Sequence, residues 1–561
     1  MALDMTPEQK AIGKANFNRA VGKLAEASGQ GSQGVTRRQF MRGLVAAGAT
    51  VPVAAAGYFA YTNRSFSGRP VRAGLIGAGD EGGVLVGEHN PAYLEFVAFS
   101  DIRPSNFRER IFKGEPTGPR RGFNFHYGNK ARERIRHYVD YRELLADPNI
   151  EAVVIALPLH LHKEVAIAAM QANKHVLCEK LMAWNITQCK EMIRVAQERD
   201  RILSIGHQRH YSMLYAHATE VIKSGVLGDI THIRALWHRN NANPLTPGDP
   251  RWNPSDRYAR YKDSWRPAIR AEDRQALDTA ALRRHGFRSI EELVRWRLYQ
   301  ETGGGLMAEL GSHQLDACST FLGKTRTNHV HPIAVTAIGG KNFYQDDREV
   351  EDQVFCIFEF PGLETGAGGV RRPPYDPERP TTDSRGRQNF QNLVTVTYSS
   401  ISTNGFEPYG ECVMGSQGTL VVESEQNVML WGGAGRSTAV TVNTTGGRPA
   451  LDSSASTDAA GERRALDTGQ NAIGHGPPSR GYREEMEHFA YCIRMRDQGM
   501  ERDREELQPR CDGRAAMDDA IIALTANQAI RTRSRIVFDP RWFDPGSREV
   551  PDANMRERRL S

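Results

Sequence analysis

The pattern of apolar and polar positions divides the chain into two regions with different periods. Between residues 71 and 205, short apolar runs alternate with segments of helical period. The runs are candidates for buried strands at 71–76, 93–100, 152–157, 175–178 and 202–205, with helices at 161–172 and 187–199. This alternation predicts a doubly wound, mostly parallel sheet.

The second region, about residues 330–423, has apolar side chains at every other position, joined by Gly-rich turns. Period two predicts half-buried strands in a large open antiparallel sheet. A Pro/Arg/Gly-rich stretch at 362–389 is expected to be a long loop. Two further helices are predicted at 482–497 and 514–531.

These patterns predict an α/β plus α+β protein with a Rossmann doubly wound parallel sheet, followed by a domain built on the antiparallel sheet. The predicted domains are the doubly wound domain at 70–207, the antiparallel-sheet domain at 208–440, a disordered linker at 441–479, and helices at 480–545 that pack back on the core.

Composition narrows the class of protein. Of the 561 residues, 39% are apolar and 25% charged, as in globular proteins. The net charge of +6 is spread along the chain without a basic block between aromatic residues, so nucleic acid is not an expected partner. The seven cysteines form no CxxC pair, so neither a disulfide framework nor a metal site is predicted.

The N-terminal segment 1–62 carries an export signal of recognisable form. Thr36-Arg37-Arg38-Gln39-Phe40-Met41 precedes an apolar run at 43–61, which resembles a twin-arginine signal. Alanines 54–56 are a candidate cleavage site, and the apolar run is nearly long enough to act as a membrane anchor instead. The chain is therefore expected to use the twin-arginine machinery and to be periplasmic or anchored facing the periplasm.

The first predicted strand runs into a glycine-rich turn, GAGDEG. Gly77 permits the tight turn, Gly79 lets a pyrophosphate approach the backbone, and Gly82 lets the next helix pack closely. Asp101 ends the second strand about 20 residues later, where an acid binds the ribose of NAD. Arg103 keeps NADP open, and a turn of this kind without a ligand is the alternative.

Ligands of doubly wound sheets bind outside the carboxyl ends of the strands. The residues that follow these strands are therefore candidates for cofactor or catalytic contacts: Pro158, His160, His162, Glu179, Lys180, His207, Gln208 and Arg209. Structural alternatives are a helix cap for His162, an exposed side chain for Lys180 and a hinge for Gln208.

Five segments in order resemble the Gfo/Idh/MocA oxidoreductases, a family that includes glucose-fructose oxidoreductase and inositol dehydrogenase. They are GLIGAGDEGG, LPLHLH, CEKLMAW, GDITHIRALWHRNN and GGGLMAELGSHQLD. Two positions depart from the family motifs: Leu181 replaces a proline, and Glu309 replaces an aspartate. The resemblance implies a two-domain, oligomeric NAD(P)-dependent enzyme whose second domain covers the nicotinamide.

The resemblance also implies that Lys180 contacts the reacting hydroxyl and that His313 accepts or relays its proton. Glu309 lies four residues before His313, on the same helical face, and is expected to orient His313 or Lys180 or to bind substrate. Asp316 is a candidate for substrate contact or a structural partner.

Aromatic and polar residues crowd the stretch from Trp237 to Trp296. Aromatic faces beside histidine, arginine and asparagine suit a sugar or cyclitol, and the expected contacts are Trp237, His238, Arg239 and Asn240. A long loop pinned by its tryptophans, or an oligomer contact, is the alternative.

Export and a nicotinamide cofactor are compatible if the folded protein carries its cofactor with it and recycles it in the site. The sequence therefore predicts an exported NAD(P)-dependent oxidoreductase acting on a sugar or cyclitol hydroxyl. The alternatives are an NAD-dependent glycoside hydrolase or epimerase that oxidises its substrate transiently, and a non-catalytic sugar-binding protein.

Overall fold

The computed structural model describes residues 5–27, 68–249, 252, 258, 260–323, 330–362, 392–432, 444–445, 448–449, 480–500 and 507–552. The twin-arginine motif, the apolar run at 43–61 and the candidate cleavage site lie outside the described residues. So do nearly all of the expected loop at 362–389 and most of the predicted linker.

The first sheet has six parallel strands in the order β3-β2-β1-β4-β5-β6. The strands are β1 (Val71–Ile76), β2 (Leu94–Ser100), β3 (Arg136–Tyr138), β4 (Ala152–Ile155), β5 (His175–Glu179) and β6 (Leu203–Gly206). All residues of β4, β5 and β6 are buried, because helices cover both faces of a parallel sheet. This is the predicted Rossmann architecture, and its strand order places a ligand crevice outside β1 and β4.

Within the described residues, the helices of eight or more residues are numbered in chain order. They are α1 (Pro7–Ala27), α2 (Asp80–Glu88), α3 (His162–Gln171), α4 (Ile186–Arg199), α5 (Met213–Lys223), α6 (Ser312–Leu322), α7 (Tyr482–Asp497) and α8 (Gly513–Thr532). Shorter helical segments include Tyr141–Ala146, Gln208–Tyr211, Ala271–Ala276, Thr279–Arg284, Ile290–Val294, Gln300–Gly303 and Met307–Gly311.

The second sheet has eight strands in the order β13-β12-β11-β7-β10-β9-β8-β16. They are β7 (Ile230–His238), β8 (Ala334–Gly340), β9 (Gln353–Pro361), β10 (Leu393–Ile401), β11 (Tyr409–Gly415), β12 (Gly418–Glu423), β13 (Asn427–Gly432) and β16 (Ile536–Val537). A separate short pair joins β14 (Thr444–Thr445) to β15 (Arg448–Pro449). The prediction of an antiparallel sheet is corrected at one place, because β7 and β10 are parallel.

Burial alternates along β9 and β10, so only one face of this sheet is covered. On the other face, Ile338, Phe355 and Ile357 are 65%, 40% and 51% exposed. Ile338 lies opposite Phe355 in the β8–β9 pair. These three residues, called the outer apolar patch below, therefore form one contiguous exposed surface.

Helix α6 lies between the two domains and is buried on nearly every side. It contacts β7, β10 and β11 of the second sheet as well as α5 and α8. Helix α7 returns to the Rossmann domain, where Met486 and Phe489 join the core formed by β1 and β2. Helix α8 contacts both β6 and β8, so the C-terminal helices fasten one domain to the other.

The N-terminal segment contains a feature that the sequence pattern did not indicate. Helix α1 packs on β13, with Phe17 buried and Lys10 paired to Glu423 at 3.2 Å. Gly13 permits this approach, because a Cβ there would lie 2.5 Å from the ring of Trp431. Among the described residues, no helix combines the length and the apolar character that crossing a membrane requires.

Candidate active site

The glycine-rich turn connects β1 to α2 in the form that a dinucleotide requires. Gly77 has φ +97°, and a Cβ there would lie 2.2 Å from the carbonyl oxygen of Ala156. A Cβ on Gly82 would lie 2.1 Å from the carbonyl oxygen of Gly77, so α2 packs closely on the strand. At Gly79 a Cβ would meet nothing within 4 Å, and no side chain caps the N-terminus of α2. An open turn before uncapped N–H groups fits a pyrophosphate.

Asp101 lies beside this turn at the end of β2. Its carboxylate accepts hydrogen bonds from the backbone N–H of Ala78 at 2.8 Å and of Arg103 at 2.7 Å. The Arg103 side chain points elsewhere and donates to buried Asp273 at 3.0 Å. The acid is thus positioned next to the glycine turn, while the arginine that kept NADP open is bound to another carboxylate.

The other residues at the strand ends differ in their surroundings. Pro158 leads into the helical turn Leu159–Leu161. His162 is buried, and its two ring nitrogens lie 2.8 Å from the carbonyl oxygens of Leu157 and Leu181. It therefore joins the segments that follow β4 and β5. Gln208 is also buried, and its Oε1 has no hydrogen-bond partner in the described part of the chain.

Lys180 follows β5 and reaches across to the segment before α6. Its Nζ donates a 2.9 Å hydrogen bond to the backbone carbonyl of Glu309, in the π-helical turn Met307–Gly311. The Glu309 carboxylate instead accepts from Arg297 Nε at 2.7 Å. Burial alone would raise the pKa of Glu309, but the charges of Arg297 and Lys180 lower it to about 2. The site thus holds an ionised carboxylate between two cations.

His313 lies one turn beyond Glu309, near the start of α6. It is buried, and its Nδ1 has no hydrogen-bond partner among the described residues. Burial, followed by the charges of Lys180 and Arg209, holds the pKa of His313 well below its usual range. The imidazole is therefore neutral at physiological pH and can accept a proton.

Three acidic residues lie deep behind Lys180: Glu81 of the glycine-rich turn, Glu179 at the end of β5, and Glu485 on α7. Burial raises the pKa of each, and the charge of Glu81 raises that of Glu179 and Glu485 further. Glu179 Oε1 and both carboxyl oxygens of Glu485 have no hydrogen-bond partner in the described ranges. Carboxyl groups with raised pKa values therefore lie close to Lys180 at Glu81 and Glu179.

The substrate candidates on β7 lie on two faces of the sheet. Trp237 faces the site: its ring is 5.3 Å from that of His313 and stacks on Tyr409 at 4.7 Å. Arg239 lies 5.2 Å from the same ring. His238 points to the opposite face, where its ring nitrogens lie 2.9 Å from the Phe406 carbonyl and 3.0 Å from Ser399 Oγ.

Asn240 is exposed and accepts a hydrogen bond from the N–H of Ala242. It therefore lies apart from His313. Trp252 is also exposed, and Trp265 is buried in the core. Trp296 lies 4.2 Å beneath the guanidinium of Arg297. Trp237 and Arg239 are thus the predicted substrate residues that the fold brings together with His313.

Asp316 lies on α6 and faces two histidines. Its Oδ1 is 2.5 Å from His210 Nε2, and its Oδ2 is 3.6 Å from His207 Nδ1. The residue is buried on the Rossmann side of α6. Its partners are therefore protein side chains.

Two arginines complete the site: Arg209 was a candidate for contact with cofactor or substrate, and Arg297 was not predicted. Arg297 holds Glu309, and Arg209 donates to the carbonyl of His313 at 2.7 Å and to Glu411 at 2.8 Å. The sequence signal available for Arg209 was its place after β6, next to Gln208. No motif marked Arg297, since it lies in a stretch without helical or strand period.

The comparisons with known proteins agree with this geometry. Residues 71–207 match the family described as "Oxidoreductase family, NAD-binding Rossmann fold", and residues 279–370 match the "GFO/IDH/MocA C-terminal domain". These two segments are therefore similar to the two domains of the GFO/IDH/MocA oxidoreductases. The first matched segment contains the glycine-rich turn and Lys180, and the second contains His313.

Individual relatives match smaller parts of the chain. The myo-inositol 2-dehydrogenase of Thermotoga maritima is 28% identical over 180 residues, which cover 31% of this chain and 47% of the relative. The inositol 2-dehydrogenase of Salmonella paratyphi B is 36% identical over 94 residues, which cover 17% of this chain and 28% of the relative. The chain thus spans less than half the length of these curated relatives.

Solved structures also match this chain at low identity. The aldose-aldose oxidoreductase from Caulobacter crescentus, complexed with glycerol, is 17% identical. The match covers 84% of this chain and 100% of that chain, with a TM-score of 0.48.

Proposed function

We propose that the protein is an NAD-dependent oxidoreductase that oxidises a carbinol group of a sugar or cyclitol. The observation that carries the proposal is the meeting of Lys180 and His313 at the carboxyl end of the Rossmann sheet. Lys180 is bonded to the carbonyl of Glu309, one turn before His313, so both groups are held at fixed places. A cation and a neutral base at one site are what alcohol oxidation needs.

The cofactor fits the glycine-rich turn. Gly77, Gly79 and Gly82 would hold the pyrophosphate at the start of α2, and Asp101 would bind the adenosine ribose. The engagement of Arg103 by Asp273 favours NAD over NADP. When bound, the nicotinamide supplies the hydride acceptor for the carbinol carbon.

The protein groups manage the charge and the proton. The Lys180 ammonium stabilises the negative charge that develops on the substrate oxygen, and neutral His313 accepts the hydroxyl proton. Glu309 stays ionised because Arg297 and Lys180 lower its pKa, so it can accept a hydrogen bond from a second substrate hydroxyl. Lys180 and His313 would thus contact the reacting hydroxyl group and Glu309 an adjacent one, as on a sugar ring.

A sugar or cyclitol is favoured by the wall beside His313. The stacked pair of Trp237 and Tyr409 offers an apolar face for the C–H surface of a ring. Arg239 lies next to that face and donates to ring hydroxyls. A polyol of this shape is therefore the substrate class that the site accommodates best.

The proposal includes export with a retained cofactor. Thr36 to Met41 supports the twin-arginine route, which carries folded proteins. Helix α1 precedes this motif and packs on β13, so cleavage near Ala56 would remove it from the sheet. N-terminal sequencing of the mature protein tests whether the segment is removed.

Assembly into an oligomer is the remaining part of the proposal. The outer apolar patch of Ile338, Phe355 and Ile357 is contiguous on a sheet that is covered on one face only. A second copy of the sheet is the occupant that matches this surface in polarity.

The activity is tested with the full chain, NAD, and panels of sugars, cyclitols and aryl glycosides. The wild type should reduce NAD, or convert a pair of free sugars into an oxidised and a reduced product. Lys180→Met should lower kcat at least about 100-fold, and Lys130→Met, at an exposed lysine, should leave it unchanged.

Each of two other outcomes would overturn the proposal. Turnover of every substrate by Lys180→Met at the wild-type rate would remove the lysine from the chemistry. Release of phenol from an aryl glycoside without net formation of NADH would instead assign the site to redox-neutral glycoside hydrolysis.

A further inference from the structure

A second cluster of titratable side chains lies where β6, α6 and α8 meet. His207 directly follows β6, Cys511 lies two residues before the start of α8, and Asp519 lies on α8. All three are buried, and one potential ligand atom from each lies within 4.8 Å of the others. We refer to His207, Cys511 and Asp519 as the β6–α8 cluster.

The β6–α8 cluster contains polar atoms whose hydrogen-bonding capacity is unused. Within the described part of the chain, neither ring nitrogen of His207 and neither carboxyl oxygen of Asp519 has a hydrogen-bond partner. Both residues are about 1% exposed. An unsatisfied buried polar group destabilises the folded state, so natural proteins satisfy such groups with water, an ion or a partner.

The surroundings of His207 orient its ring towards Asp519. On one side, Nδ1 lies 3.6 Å from Asp316 Oδ2, and the other oxygen of that carboxylate lies 2.5 Å from His210 Nε2. On the other side, Nε2 lies 3.8 Å from Asp519 Oδ2. A carboxylate next to Nδ1 favours the tautomer that leaves Nε2 as an acceptor, as behind metal-bound histidines.

The backbone also fixes the thiol of the cluster. The carbonyl oxygen of Cys511 accepts a hydrogen bond from the N–H of Ile205 on β6 at 2.9 Å. Asp512 caps the N-terminus of α8, which places Asp519 two turns along the helix. The three side chains are therefore supplied by rigid elements.

We propose that His207, Cys511 and Asp519 bind one divalent transition-metal ion of the zinc class. One nitrogen, one sulfur and one oxygen donor suit zinc, while calcium and magnesium prefer oxygen ligands. Movements of about 1 Å would bring the three donors to tetrahedral spacing around one ion. The cluster was missed in the sequence because its ligands follow no short spacing.

The ion would hold α8 against the segment that follows β6, next to the active site. The His207 ring lies 6.4 Å from that of His313, on the interior side. The role is therefore the positioning of β6 and α8 around His313.

The test measures metal binding by the full-length protein. After chelation and dialysis, the wild type should bind about one equivalent of cobalt(II). Binding should produce a thiolate-to-cobalt charge-transfer band in the near ultraviolet and raise the melting temperature. Cys511→Ser should lose the band, and Asp519→Asn should bind more weakly. Cys189→Ser, at a buried thiol on α4, is the matched control and should keep the band.

Two results would overturn the proposal. One is the absence of a stoichiometric cobalt complex in the wild type. That outcome is expected if Asp519 and Asp316 share a proton in a carboxyl–carboxylate hydrogen bond and no ion is bound. The other is an unchanged band in Cys511→Ser. The wild-type spectrum decides the question even if the variants fold poorly, and neither measurement depends on enzymatic activity.

Discussion

Replacing Arg209 with methionine removes a buried cation that joins the Rossmann domain to the second sheet. Its guanidinium donates hydrogen bonds to Glu425 at 2.9 Å, to Glu411 at 2.8 Å and to the His313 carbonyl at 2.7 Å. Methionine keeps part of the packing against Tyr215 but donates none of these bonds. Glu411 and Glu425 then remain in the interior without this counter-ion.

Breaking a buried ion pair by removing one partner destabilises a protein by about 3–5 kcal/mol. Glu411 limits this loss by taking up a proton, because burial outweighs Arg209 and raises its pKa to about 7. We therefore expect the free energy of unfolding to fall by about 3 kcal/mol at neutral pH, the lower end of that range.

The pH dependence follows from the same group. The pKa of Glu411 is higher in the folded protein than in the unfolded chain, where it is 4.5. The contribution of Glu411 to the free energy of unfolding is therefore lost as pH rises from 4.5 through the folded pKa. Between these limits the wild type and the variant lose stability in parallel. Above about pH 7 only the variant, with the higher pKa of Glu411, continues to lose stability, by up to about 1.4 kcal/mol per pH unit.

Urea unfolding at about pH 6, 7 and 8.5, followed by tryptophan fluorescence and circular dichroism, measures the deficit and checks for a single transition. Arg209→Lys is the matched control and should lose less. In a Glu411→Gln background, Arg209→Met should show no growth of the deficit above neutral pH. A loss of less than about 1 kcal/mol at pH 7, typical of a surface pair, would refute the reasoning, as would a deficit that is flat with pH.

Three other substitutions give independent checks. Arg297→Met should raise the pKa of Glu309 and shift the acidic limb of the kcat profile to higher pH, and an unmoved limb would contradict its role. Gly79→Ala should keep the melting temperature but weaken NADH binding about tenfold, whereas Gly77→Ala should lower the melting temperature; equal NADH affinity in Gly79→Ala and wild type would exclude the pyrophosphate site. Ile357→Asp should shift assembled protein to monomer in sedimentation velocity, and an unchanged sedimentation coefficient would exclude the outer apolar patch as the interface.

Local patterns were sufficient to predict the Rossmann domain except for β3, because its short sequence Arg136–Tyr138 has no apolar run. Each of its buried strands has a short apolar run, and β1 begins and ends where that run does. The glycine-rich turn and Asp101 have a spacing set by one βαβ unit. The place of Lys180 follows from the end of β5, because residues after parallel strands gather at one edge of the sheet.

The opposite orientations of Trp237 and His238 on β7 were also predictable, although both residues were predicted to contact substrate. Successive strand residues point to opposite faces, so Trp237 and His238 cannot line one site. No local sequence pattern indicated the contacts between segments that are distant in the chain. The approach of Asp519 to His207 depends on how α8 packs against β6. The packing of α1 on β13 likewise brings together two segments that are far apart in the sequence.

The proposed chemistry depends on a nicotinamide nucleotide bound at the glycine-rich turn, with its reactive ring near Lys180. The most direct measurement is to denature the intact protein, identify the released small molecule by absorbance and mass, and titrate the stripped protein with NADH. We expect about one nicotinamide nucleotide per chain, either released or rebound with saturation. A protein that releases none and shows no saturable NADH binding would contradict the proposal.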